Sequence, residues 1–205
     1  MSISLIVTTC ALAPHAATTL SSGRQPHDFR AYLLRCHLIP QALANPDISE
    51  VIVVGEFEEG DGYRYLSVPS VEQNSIHDSL RKRQAGCEAA TGRWIIVQND
   101  DHLLDPMFTR NFYKHAYADV VSPARWTRLR GRPERLNDGS QDRYINGHTA
   151  IYSREALQRC PWESLPRVFS YDIEHTRLLR QACFDVLWAD DCITWDCELG
   201  ATPWQ

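Results

Sequence analysis

The chain has no Cys-x-x-Cys pair, no internal repeat and no low-complexity tract. Its seven cysteines (Cys10, Cys36, Cys87, Cys160, Cys183, Cys192 and Cys197) are scattered and odd in number. That pattern fits reduced thiols and argues against a disulfide framework or a structural zinc site. Long hydrophobic runs are also missing. The first apolar stretch, Ile3 to Val7, is far too short to span a bilayer. It lacks the basic flank and longer apolar core of a signal peptide, so a cytoplasmic location is expected. Positive charge is not in excess: 21 Lys and Arg against 26 Asp and Glu leave a net charge of −5. Whole-molecule attraction to nucleic acid or anionic membrane is therefore excluded as a driving force.

What is present is ordinary globular material, 43% hydrophobic and 23% charged over 205 residues, enough for one domain spanning 1–205. Ile3 to Thr9 reads as a first buried strand. A helix is expected from Asp28, as N-cap, to Ala44, with Pro40 kinking or shortening it. Val51 to Gly55 is a second strand and Tyr65 to Val68 a third. Asp78 to Ala90 reads as a helix closed by Gly92 at the C′ position, and the Trp94–Val97 strand follows. In the second half, helices are expected from Pro106 through Tyr117, after Ser153, and from Asp172 to Ala182. Short strands are expected at 119–122, 147–152 and 186–189, and 124–143 reads as a polar loop. Strands alternating with helices predict an α/β, Rossmann-like domain with a mostly parallel central sheet flanked by helices. In such sheets ligands gather at the carboxyl ends of the strands, where Thr8, Glu56, Asp100 and Asp101 all fall.

The most informative stretch is Trp94-Ile95-Ile96-Val97 running into Asn99-Asp100-Asp101-His102. Carboxylates placed where a buried strand emerges are held close together, and a divalent cation relieves their repulsion. Oxygen ligands favour Mg²⁺ or Mn²⁺. An Asx-rich turn that merely caps the strand is the structural alternative.

The order of these pieces resembles the GT-A-fold nucleotide-sugar glycosyltransferases, nearest in pattern to the large family-2 group. Ser4-Leu5-Ile6-Val7-Thr8-Thr9 is similar to that group's opening strand, and Val51 to Glu56 to its second strand with an acidic end. Arg83-Gln84-Ala85-Gly86 and Ala89-Ala90-Thr91-Gly92-Arg93-Trp94-Ile95 resemble its Arg-Asn-x-Gly helix and the entry to the metal strand. Asn99-Asp100-Asp101 falls on the Asp-x-Asp motif. Gly147 with Tyr152-Ser153-Arg154-Glu155-Ala156 resembles the segment after it, and Tyr171-Asp172 stands where the group often has Glu-Asp. The departures are Asn99 for the first motif acid, Tyr171 for Glu, and Thr194-Trp195-Asp196 where a late His is common.

The resemblance implies a donor half over about 1–105 and an acceptor half over about 106–205. It implies a nucleotide-diphosphate sugar, a UDP-sugar foremost, contacted by Thr8, Thr9, Glu56, Arg83, Asn99 and Asp100. Mn²⁺ or Mg²⁺ would be held by Asp101, helped by Asp100 and Asp196. Sugar transfer passes through an oxocarbenium-like transition state. An inverting enzyme needs a base for the acceptor hydroxyl, with Asp172 the first candidate and Glu174 the second. His102, His148 and His175 are dispersed and read as structural or solvated, His102 alone standing next to the acidic turn.

Six arginines, Arg125, Arg128, Arg130, Arg132, Arg135 and Arg143, crowd the expected acceptor side with Trp126 among them. They could attract an anionic acceptor such as a hydroxylated base in DNA, or a phosphorylated small molecule or lipid, with Trp126 stacking on a ring. Equally they could form a solvated loop paired with Glu134, Asp138 and Asp142. Two other functions stand beside transfer. A sugar-phosphate nucleotidyltransferase would need a Gly-rich basic loop after the first strand, where this chain has Cys10-Ala11-Leu12-Ala13-Pro14. A catalytically weakened binding module on the same fold would account for Asn99 and Tyr171.

Overall fold

The computed structural model describes residues 2–9, 26–70, 76–128, 134–135, 144–145, 147–166 and 171–197. In chain order the first half runs β1 (Ile3–Thr9), α1 (Pro26–Leu33), a π-helical turn (Leu34–Leu38), α2 (Ile39–Ala44), β2 (Ile48–Gly55), β3 (Arg64–Ser67), α3 (Ile76–Ala89) and β4 (Trp94–Asn99). The second half contributes β5 (His102–Leu104), α4 (Phe108–Phe112), β6 (Val120–Arg128), β7 (Glu134–Arg135), β8 (Thr149–Ser153), α5 (Arg154–Arg159), α6 (Tyr171–Gln181) and β9 (Val186–Asp196). All strands join one sheet in the order β3-β2-β1-β4-β8-β6-β9-β5, with β7 on β6.

The four leading strands are mutually parallel, and β6 is parallel to β9 over its length. Antiparallel pairing enters through β8, β7 and β5 and covers fewer residues, so the expected mostly parallel α/β sheet is the one observed. Burial explains the sequence pattern. Ile3, Leu5, Val7, Trp94 and Ile96 face one core, with α1, α2 and α4. Ile6, Ile95 and Val97 face the other, with α3, α5 and α6. Strands covered on both faces must be apolar at every position, which is why β1 and β4 read as continuous runs.

Two glycines set the packing at the strand ends. Gly55, at φ +131°, closes β2 so tightly on β1 that a Cβ would collide with the Thr9 carbonyl. Gly86 lets α3 lie directly on Ile6 and Val54. That contact carries the neighbouring Lys82 and Arg83 to the carboxyl rim of the sheet.

Several expectations are corrected. The first helix already includes Pro26, so Asp28 lies inside it, and it passes through the π-helical turn just before Pro40. A proline lacks the N–H for an i→i−4 bond and clashes with the carbonyl one turn back, which the wider turn accommodates. Gly92 is no left-handed cap; its N–H donates to Ser4 Oγ at 2.7 Å, and the residue is pressed against β1. The helix expected through Tyr117 is α4 plus a short 3₁₀ turn, Tyr113–His115. The expected loop from Ala124 is strand as far as Arg128, and β9 runs to Asp196 instead of ending at Ala189. Both segments lack an apolar alternation of their own; they are extended because each supplies the other's hydrogen bonds. The six described cysteines are free thiols. No helix among the described residues is long and apolar enough to cross a membrane.

Candidate functional site

The chain leaves β4 at Asn99, turns through Asp100 and Asp101, and returns as β5 alongside β9. The turn is fastened at both ends: Gln98 Nε2 donates to the His102 carbonyl at 2.5 Å, and the Cys197 N–H donates to the Asp101 carbonyl at 2.7 Å. Both carboxylates are buried, Asp100 at 1% and Asp101 at 7% exposure. Thr9 Oγ1 donates to Asp100 Oδ2 at 2.7 Å. Arg30, from α1, reaches both acids, with Nη1 2.6 Å from Asp100 Oδ1 and Nη2 3.1 Å from Asp101 Oδ2. His102 Nδ1 lies 2.7 Å from Asp101 Oδ1. Burial works against a charge on Asp101, but His102 and Arg30 outweigh it and hold that carboxyl well below the usual carboxylate range. Burial raises the Asp100 carboxyl, aided by the like charge of Asp101 and opposed by Arg30.

His148 completes the cluster. Antiparallel pairing of β8 with β4 brings the segment before β8 to the end of β4, where the Asn99 N–H donates to the His148 carbonyl at 2.9 Å. The His148 ring stacks on that of His102, 4.6 Å between centroids and 9° from parallel. One atom each from Asp101, His102 and His148 lie within 4.8 Å of one another, a cluster that could hold a metal ion. The chemistry of the donor set fits a divalent cation. One carboxylate with two imidazoles suits a first-row transition metal better than Mg²⁺, which prefers oxygen alone; Mn²⁺ is the hardest of that series. His102 Nδ1 faces Asp101, so the imidazole is oriented by a carboxylate, as metal-ligating histidines commonly are.

Behind this cluster sits Arg83, 1% exposed, bonded to Asn99 Oδ1 at 2.7 Å and the Gly147 carbonyl at 2.6 Å. Its guanidinium lies over the rings of Trp162 (5.0 Å) and Tyr171 (5.4 Å). Carbonyl dipoles and aromatic faces thus stabilise a buried cation. The bond turns the Asn99 carbonyl towards Arg83, and Asn99 Nδ2 lies 3.1 Å from His148 Nδ1. Tyr171 also donates to the Gly147 carbonyl, at 3.2 Å. Asp172 opens α6 beside Gly147, and burial raises its carboxyl above the usual range. Glu174, two residues on, is paired with Arg177 at 2.7 Å.

A second buried cation serves the rim. Lys82, 4% exposed, donates to the Thr9 carbonyl (2.9 Å), Glu56 Oε2 (2.5 Å) and Ser70 Oγ (2.9 Å). Burial opposes charge on Glu56, yet Lys82 and Ser70 together lower its carboxyl below the ordinary value. Thr8 is buried between Val54 and Asn99 in the sheet register.

Thr8, Thr9, Glu56, Arg83, Asn99, Asp100, Asp101 and Asp172 therefore converge on one rim. Asp196 stands opposite His102 in the β5–β9 pairing. The side chains of Asp196, Arg125, Trp126 and Arg128, and all of Arg130, lie outside the described residues. Sequence reasoning missed Arg30, Lys82 and the role of His148. Lys82 adjoins Arg83 and His148 adjoins Gly147, so both had a signal; Arg30 had none.

No protein-family model matches the sequence, and no curated protein matches it. Solved structures do match. TarS from S. aureus, residues 1–349, aligns at TM-score 0.60 and 16% identity over 96% of this chain and 60% of that one. The mannosyltransferase PcManGT from Pyrobaculum calidifontis, in complex with GDP-Man and Mn²⁺, aligns at TM-score 0.59 and 15% identity over 95% and 56%. GalNAc-T7 with UDP, GalNAc and Mn²⁺ aligns at TM-score 0.62 and 9% identity over 95% and 43%. The fold is that of the GT-A-type nucleotide-sugar glycosyltransferases. This chain spans less than two thirds of each of these structures.

Proposed function

We propose that this chain is a metal-dependent glycosyltransferase that moves a sugar from a nucleotide-diphosphate donor, foremost a UDP-sugar, to an acceptor hydroxyl. The observation that carries the reading is the meeting of Asp101, His102 and His148 at the carboxyl rim of a GT-A sheet, with Asp172 one residue contact away at Gly147. Asp101, His102 and His148 would hold the cation. A bound divalent cation supplies Lewis-acid stabilisation of the charge gathering on a departing diphosphate, worth several kcal/mol of barrier.

The chain's own residues do the rest. Thr8, Thr9 and the Lys82–Glu56 pair shape the rim where the nucleoside would lie, and residues up to about 105 form the donor half. Buried Arg83 locks Asn99 and Gly147 in place, so the acid turn and the entrance to β8 keep a fixed separation. Asp172, as carboxylate, takes the proton of the acceptor hydroxyl as the new glycosidic bond forms, with inversion at the anomeric carbon. The arginine-rich segment from Arg125 to Arg143 supports an anionic acceptor, and DNA carrying a hydroxylated base is the sharpest candidate. The nucleotide ligands of the structural neighbours support the donor class.

A panel of nucleotide sugars with Mn²⁺, read as nucleoside diphosphate release, tests this. Release abolished by EDTA and by Asp101→Ala is expected. Release independent of Asp101 and of cation overturns it, and pyrophosphate exchange would indicate a nucleotidyltransferase instead. For the acceptor, affinity for DNA should fall steeply with salt if phosphates are engaged. A flat response removes DNA.

A further inference from the structure

The four carboxylate oxygens of the acid turn all have a partner from this chain. Arg30 takes one oxygen of each acid, Thr9 the second of Asp100, and His102 the second of Asp101. Two adjacent buried carboxylates demand positive charge nearby, and a single guanidinium fork spans them both. Asp101 is thus shared between Arg30 and the cluster able to hold a cation. A guanidinium and a dication on the same carboxylate repel each other strongly in a partly buried place. Arg30 itself is 30% exposed in its side chain, whereas Asp100 is 1%, so the arginine reaches the surface of the rim and the acid does not.

We infer that Arg30 is an internal counter-cation that holds the acid pair and exchanges it for the diphosphate of the donor, so that the nucleotide clears Asp101 for the metal. The inference rests on the cation reading of Asp101, His102 and His148. A planar fork that grips two carboxylate oxygens matches two phosphate oxygens equally well. No bond is made or broken in the exchange. It gives Arg30 opposite effects on two ligands: it competes with a cation for Asp101 and attracts a diphosphate. A purely structural arginine would move both affinities in one direction.

The test measures Mn²⁺ alone and UDP in EDTA, each by calorimetry, on wild type, Arg30→Gln and Asp101→Ala. For Arg30→Gln, Mn²⁺ alone should bind about tenfold tighter, the scale of removing a unit charge beside a dication. UDP without metal should bind about tenfold weaker, the scale of losing one charge-assisted fork. Unchanged or weaker Mn²⁺ binding, or unchanged UDP binding, overturns the inference. If wild type and Arg30→Gln bind Mn²⁺ equally while Asp101→Ala does not bind it, the cation site stands and only the role of Arg30 falls. If none of the three proteins binds Mn²⁺, both fall together. Should Arg30→Gln fail to fold, Arg30→Lys keeps the charge and loses the planar fork. That protein should bind UDP in EDTA several-fold more weakly than wild type, and equal or tighter binding overturns the inference.

Discussion

Gly147 lies against Asp172: a Cβ built on Gly147 would stand 3.3 Å from Asp172 Cβ and 3.4 Å from its Oδ2, with Tyr171 OH at 3.2 Å. The residue before His148 is thereby the spacer between the cation cluster and the proposed base. Gly147→Ala should push the two apart by a few tenths of an ångström. Since misplacement by about 1 Å can cost about 100-fold, a drop of about tenfold in kcat is expected, with donor affinity little changed. Steady-state kinetics decide this; an unaltered kcat would show that the spacing does not matter.

Asp172→Asn should lower transfer by about 10²–10⁴-fold while sparing donor binding, because the amide cannot take a proton. The wild-type carboxyl is raised by burial. Activity should therefore fall on acidification with an apparent pKa above that of an ordinary aspartate, and the limb should vanish in the variant. Full activity of Asp172→Asn would discard the assignment.

His175 is fully buried against Trp162, ring centroids 4.0 Å apart, with Nε2 donating to the Cys160 carbonyl at 3.0 Å and Nδ1 unpartnered. Burial pushes its pKa down to about 4. Between about pH 6.5 and 4 the unfolded chain takes up a proton that the folded chain refuses, so stability falls as pH drops through that window. The loss approaches about 3 kcal/mol below it. Urea titrations of wild type and His175→Gln across the range check this, the variant losing that component of the slope. Equal slopes would contradict it.

Lys82→Met should cost about 3 kcal/mol, because Glu56 would remain largely buried without its cation. Replacing both, as Lys82→Met with Glu56→Leu, should recover much of the stability. Denaturant midpoints for the two singles and the double close the cycle; additive losses would show that the pair does not act as a unit.

Much of the sheet was readable from residues in order. β1, β2 and β4 are runs of apolar, β-branched residues because both faces are covered, and such runs are local facts of the chain. The acid turn after β4 was readable for the same reason, since Asn99-Asp100-Asp101 follows a strand that must stop. The extensions of β6 and β9 were not, because Arg125 to Arg128 and Ile193 to Asp196 carry no strand pattern until each is laid beside the other, past a bulge in the register. Likewise the π-helical turn answers to Pro40 a few residues on, and Asp28 lies within the helix and does not cap it.

Local residue order sets which acids leave the sheet, Asp100 and Asp101, and places Arg83 on the helix before them. Their partners, and the burial of Lys82 beside Glu56, come from the assembled sheet. Arg30 on the acid pair, His148 on His102 and Tyr171 on Gly147 are contacts across 24 to 71 positions of chain. Such neighbours follow from strand order and register, which are properties of the whole sheet, whereas a turn or an apolar run is set by its own few residues.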